Sequence, residues 1–96
     1  MNQPLSEDAI LAALTALPGW AVVDGALERT FEFRGFPAAL GFIVRVGLEA
    51  ERLNHHPHLV NVWNRVTLRL NTHDAGHRVT ALDVRLAEAI DAIVRE

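Results

Sequence analysis

An α+β fold is predicted: a four-stranded antiparallel sheet with three helices packed on one face, in the order α-β-β-α-β-β-α. Two patterns carry that expectation. Arg65 to Thr72 alternates Val66, Leu68 and Leu70 with Arg65, Thr67, Arg69 and Asn71, the period-two signature of a strand with one buried face. After Thr80, by contrast, Leu82, Leu86, Ala89, Ile90 and Ile93 recur at helical spacing. Strand pairs interleaved with helices, with no linker or low-complexity stretch between them, describe an α+β layer. Residues 1–96 are expected to form one domain, since half the residues are hydrophobic and can supply its core.

Taken in order, Ser6 caps a first helix over residues 6 to 17, with Glu7 and Asp8 at the positive end of its dipole and Pro18-Gly19 beyond its end. Trp20 to Val23 and Ala26 to Phe33 are strands joined by Asp24-Gly25, a dipeptide suited to the positive φ angles of a tight hairpin. Pro37 fits a first helical position, and Ala38 to Asn54 continues as the long central helix. Its apolar residues occupy two adjacent faces, Leu40, Ile43, Gly47 and Ala50 on one and Phe42, Val46 and Leu53 on the other. That band is wider than a surface helix needs and points to self-association. Leu59 to Trp63 and Arg65 to Thr72 form the second strand pair, and Thr80 caps the last helix.

Composition excludes several functions. The net charge is -3, and the nine basic residues are all arginine and scattered from Arg29 to Arg95, so no basic stripe tracks a phosphate backbone and direct nucleic-acid binding is not expected. Without cysteine there are no disulfides, thiolate metal sites or cysteine nucleophiles. The first residues do not read as a signal peptide, and the longest apolar run, Phe36 to Val44, stops at Arg45 far short of a membrane span. A soluble, cytoplasmic protein is expected.

The chemistry concentrates in Glu51-Arg-Leu-Asn-His-His-Pro57. Imidazole is the side chain that titrates nearest neutrality, and adjacent histidines suit proton transfer better than ordinary packing. Glu51 and His55 stand four apart, so on a helix they share a face and can interact. Pro57 disfavours helical geometry at His56, which leaves His55 near the helix end and His56 beyond it. His73 precedes the loop-forming Asp74-Ala75-Gly76, but spacing alone does not bring it to the pair. Asp83, three residues after Thr80, reads first as a helix-start residue of capping-box type. Trp20 and Trp63 are suited either to the core or to stacking on a flat heterocycle. A metal site could draw on His56, His58 and His73 with Glu51, Asp74 or Asp83, yet no zinc-type spacing occurs and none is expected. His58 and His77 carry weaker signals.

The pattern resembles the pterin-4a-carbinolamine dehydratases. Their signature runs from an acidic residue through His-His-Pro and an aromatic to a further histidine and a downstream aspartate. It is matched here by Glu51, His55, His56, Pro57, Trp63, His73 and Asp83. Gly19-Trp20, Phe33 to Phe36 and Gly41 to Val46 also look familial, so the resemblance covers nearly the whole chain. It implies dehydration of a 4a-hydroxytetrahydropterin to the quinonoid dihydropterin, with His55, His56 and His73 lining one pterin pocket and no metal or redox cofactor. Glu51, Pro57, Thr72, Asp74 and Trp20 are then expected around the substrate, with Asp83 in support. The resemblance further implies a homodimer or homotetramer; the family's second role in animals, with a homeodomain transcription factor, finds no support in these residues. The alternative is a noncatalytic pterin- or partner-binding module of the same fold. His58 and Leu59 depart from the pattern where an acidic residue and an aromatic are common, Asn54 where an acidic residue is common, and His77 where a second glycine often follows Ala-Gly.

Overall fold

The computed structural model describes residues 2–95. Its elements are α1 (Glu7–Leu14), β1 (Ala21–Val23), β2 (Ala26–Glu32), α2 (Phe36–Leu53), β3 (His58–Val62), β4 (Arg65–Leu70), a 3-10 turn (His73–Ala75) and α3 (Ala81–Arg95). The four strands form one antiparallel sheet in the order β1-β2-β4-β3.

Local chemistry accounts for most element boundaries. Ser6 Oγ accepts the Ala9 N–H at 3.1 Å and caps α1. That helix ends at Leu14, short of the expected residue 17, because Ala16 and Leu17 donate to Ala13 and Leu14, three residues back, and so tighten the last turn. Asp24 (φ 48°) and Gly25 (φ 80°) make the first hairpin turn, as their sequence predicts. Gly35 caps α2, which begins at Phe36, one residue before Pro37. At its other end Asn54 adopts a left-handed conformation (φ 51°), and the His55 N–H returns to the Ala50 carbonyl at 3.0 Å. Asn54 rather than Pro57 therefore terminates α2, and both His55 and His56 lie beyond the helix. Trp63, expected in a strand, sits in the β3–β4 turn at φ 50° and is exposed.

One face of the sheet carries the core. Leu27 and Phe31 of β2 stand beside Leu70 and Val66 of β4, with Leu68 between. Ala39, Phe42, Val46 and Ala50 of α2 and Leu86, Ala87, Ile90 and Ile93 of α3 cover them. The Phe42 ring meets Phe31 at 4.8 Å and Phe33 at 4.9 Å between centroids. The broad apolar band of α2 divides differently from its expected faces: Leu40 and Gly47 are exposed, as are Val44 and Leu48 at 61% and 65%.

A polar cluster is buried at one edge of this core. Asp91 Oδ1 accepts the Trp20 indole N–H at 2.9 Å and Arg29 Nη1 at 3.0 Å. The same guanidinium lies over the Phe31 ring at 4.4 Å. It also presses on Gly19, where an added Cβ would stand 2.8 Å from Arg29 Nε and where φ is +88°. The Gly19-Trp20 pair thus has a packing reason: glycine admits Arg29, and tryptophan supplies the second donor to Asp91. Asp91→Ala strands both donors and should lower unfolding free energy by about 3 kcal/mol, with Asp91→Asn falling between it and wild type. Urea denaturation followed by circular dichroism measures both.

Candidate active site

The turn at Asn54 sends the next two side chains in opposite directions. His55 is buried, and its Nε2 lies 2.5 Å from Oδ1 of Asp83, itself wholly buried at the start of α3. His56 is exposed, with Nε2 2.9 Å from Glu51 Oε1. The expected pairing of Glu51 with His55 is corrected on this point. Helical spacing would join residues four apart, but the helix ends before His55, and the left-handed residue brings His56 back over Glu51 instead.

Asp83 also receives donors from two other segments. Its Oδ2 accepts the Thr72 hydroxyl at 2.8 Å and the Thr80 backbone N–H at 2.8 Å. The two threonine hydroxyls are 2.7 Å apart, and Thr80 Oγ1 accepts the Leu82 N–H at 3.2 Å. The proton order follows from the inventory. An ionised carboxylate only accepts, so Thr72 gives its hydrogen to Asp83 and Thr80 gives its own to Thr72. With Asp83 ionised, His55 Nε2 carries its hydrogen towards the carboxylate, and Nδ1 is the nitrogen left to exchange a proton. No buried side-chain nitrogen or oxygen among the described residues lacks a partner.

His73 opens the 3-10 turn that follows β4. The loop closes on Thr72, whose N–H donates to Arg78 O at 2.9 Å and whose carbonyl accepts from Ala75 and His77 at 3.0 Å each. Thr72 thus joins Asp83 through its side chain and ties the base of the His73 loop through its backbone.

These segments surround a cavity of about 660 Å³, within the range of small-molecule sites. His55, His56, Pro57, Thr72, His73 and Asp74, all sequence candidates, line it. Glu51 does not line it and reaches it only through His56. Trp20 is a correction: expected near the substrate, it is a core residue whose one polar atom is committed to Asp91. Arg69 and Asn71 also line the cavity and were missed, although their alternation with His73 on the polar side of β4 marked them in the sequence. His58 and His77 join the same wall, so all five histidines of the chain meet here. Among the described residues no group of three or more His, Asp or Glu side chains is gathered to hold a metal ion.

An α+β layer with imidazoles about one cavity, one of them bound to a buried carboxylate, defines a class of protein equipped for acid/base work on a small molecule. Comparison with known proteins makes this specific. Residues 3–93 match the family model described as pterin 4 alpha carbinolamine dehydratase. The chain belongs to that family. It is 51% identical over 89 residues to a relative from Opitutus terrae, covering 93% of this chain and 92% of that protein. A relative from Nitrobacter hamburgensis is 52% identical over 98 residues, covering 100% of this chain and 96% of that one. Both are named, on a provisional basis, pterin-4-alpha-carbinolamine dehydratases. A crystal structure from Brucella melitensis, titled a transcriptional coactivator/pterin dehydratase, superposes with a TM-score of 0.89 at 42% identity, covering 94% of this chain and 97% of that one.

The burial contrast between the site carboxylate and the outer histidine predicts unequal effects on stability. Asp83→Ala removes the acceptor shared by three donors and should cost about 3 kcal/mol of unfolding free energy. His56→Ala, at an exposed position, should stay within about 0.5 kcal/mol of wild type. Denaturant midpoints of the two variants give the comparison.

Proposed function

We propose that this chain dehydrates a 4a-hydroxytetrahydropterin to the quinonoid dihydropterin and water by histidine acid/base catalysis, without a metal or redox cofactor. The observation that carries the reading is the meeting of His55, His56 and His73 at one cavity, with His55 held by Asp83. A protonated imidazole gives its proton to the C4a hydroxyl, the C4a–O bond breaks, and water leaves. A second imidazole takes the N5 proton, and the N5 electrons close the C4a=N5 double bond. Two positioned groups are needed for the two transfers.

His55 and His56 carry the transfers in this reading, and His73 orients the pterin. Pro57 and Asp74 shape the substrate wall, and Glu51 acts through His56. Thr72 supports the site by holding Asp83 and the His73 loop. The key test is stopped-flow dehydration of a synthetic carbinolamine. His56→Ala should lose about 10²- to 10⁴-fold in rate with an unchanged circular dichroism spectrum. Undiminished turnover overturns the assignment of His56. A wild-type rate no better than buffer replaces the enzyme reading with that of a noncatalytic binding module.

The protein works in the cytoplasm as a homodimer or homotetramer in this proposal; no helix among the described residues is long and apolar enough to cross a membrane. Leu40, Val44 and Leu48 form an exposed apolar row along α2, and Val60 and Val62 are exposed on the edge strand β3. Exposed apolar surface of this kind favours association with a second copy. Wild type should sediment above monomer mass, and Val44→Glu with Leu48→Glu should lower the assembly state. A wild type that sediments as a monomer removes this part of the proposal.

A further inference from the structure

Two histidines of the cavity wall, His58 and His77, have no role in the reading above. The fold brings both to the same cavity as the catalytic candidates. His58 is the ladder partner of Arg69, so the two side chains share one face of the sheet at its β3–β4 edge. Arg69 commits Nη1 to Glu28 at 2.8 Å and to the Val23 carbonyl at 3.2 Å. Among the described residues, neither its Nη2 nor its Nε makes a hydrogen bond.

His77 is held at some conformational cost. Its φ is +59°, directly after Gly76 at +72°, in a region that side-chain-bearing residues adopt rarely. A glycine would relieve that cost. The imidazole instead packs edge-on against His73, with ring centroids 4.6 Å apart and planes at 75°. Neither the His58 nor the His77 imidazole makes a hydrogen bond within the described residues. A positive-φ backbone bearing an imidazole with no hydrogen-bond partner on a cavity wall points to a ligand contact.

The polarity of this part of the wall is one-sided. Arg69, His58 and His77 offer N–H donors, and Asn71 lies beside them. Asp74 is the one carboxylate residue among those lining the cavity. Such a rim bonds a neutral substituent's oxygens more weakly than oxygens bearing negative charge, where hydrogen bonds are roughly twice as strong.

We infer that His58, His77 and Arg69 form an anion-recognising rim, and that the pterin taken by this chain carries an acidic substituent, a phosphate or a carboxylate, projecting towards them. The inference rests on the pterin reading above and adds the substrate class within it. The rim residues are specificity determinants; the proton transfers stay with His55 and His56.

The test is equilibrium binding, read by quenching of pterin fluorescence, with three 7,8-dihydropterins that lack the 4a-hydroxyl and do not react. One has a neutral polyhydroxypropyl side chain, the second is its phosphate monoester, and the third carries a carboxylate on the side chain. At least one acidic ligand should bind about tenfold tighter than the neutral one, and the tighter of the two identifies the acid. In a His58→Gln, His77→Gly double variant that preference should fall to below about threefold. His77→Gly suits the positive φ, and a thermal unfolding curve verifies the fold. Equal affinity of wild type for neutral and acidic ligands overturns the inference and leaves the pterin reading standing. Failure to bind any of the three overturns the pterin reading itself. A preference undiminished in the folded double variant overturns the assignment to this rim.

Discussion

The carboxylate of Asp83 is the constraint on which the site depends. It is wholly buried, which is sustainable for an acid only when its oxygens are supplied with donors, and three come from three different parts of the chain. His55 arrives from the turn after α2, Thr72 from the end of β4, and the Thr80 N–H from the start of α3. Each donor satisfies the carboxylate and is in turn fixed by it. The position of His55, the base of the loop carrying His73 and the first turn of α3 are consequently one geometric object. Helix docking and site geometry cannot vary independently: α3 packs Leu86 and Ile90 against the sheet, and the same helix presents Asp83 to the imidazole.

A second polar cluster shows what a comparable buried acid does when its role is confined to packing. Asp91, two turns further along α3, also accepts two side-chain donors, Trp20 and Arg29. Neither donor lines the cavity, and none of the three residues has an uncommitted nitrogen facing it. The difference lies in the donor type. Indole and guanidinium groups hold their hydrogens throughout the accessible pH range, whereas an imidazole bound to Asp83 through one nitrogen retains a second that can exchange a proton. The two aspartates on one helix thus divide the labour: Asp91 ties the core to β2 and the segment before β1, and Asp83 ties the core to the site.

What the sequence revealed followed the range of the interactions involved. Asp24-Gly25, the Val66-Leu68-Leu70 alternation and the Ser6 cap are set by neighbours a few residues apart, and the structure has each of them where local reasoning predicts. Errors arose where two local signals competed. Pro57 and Asn54 both terminate helices; the proline alone predicts α2 one residue longer, and its earlier end at Asn54 gives a Glu51–His56 pair in place of Glu51–His55. Contacts across 28 and 71 residues, His55 with Asp83 and Trp20 with Asp91, have no local signature at all. Trp20 therefore reads first as a core residue, with stacking on a ligand left open. The cavity wall was half legible: Asn71 and Arg69 fall on the polar face that also leads to His73, but only folding shows that His58, on the neighbouring strand, is the partner of Arg69.

The left-handed residue Asn54 resolves how a chain this short separates two adjacent histidines. In a continuous helix, successive side chains point about 100° apart. The reversal at Asn54 gives His55 a buried acid as partner and leaves His56 in solvent with an exposed one, so neighbours in sequence differ in burial and freedom. Reactions that move one proton in and another out need two such groups to be unlike, because identical environments would favour the same protonation state in both. Asparagine is suited to this position since it tolerates positive φ better than other residues with a side chain. Its backbone conformation, rather than any property of the imidazoles themselves, is what makes a His-His pair into two chemically distinct groups.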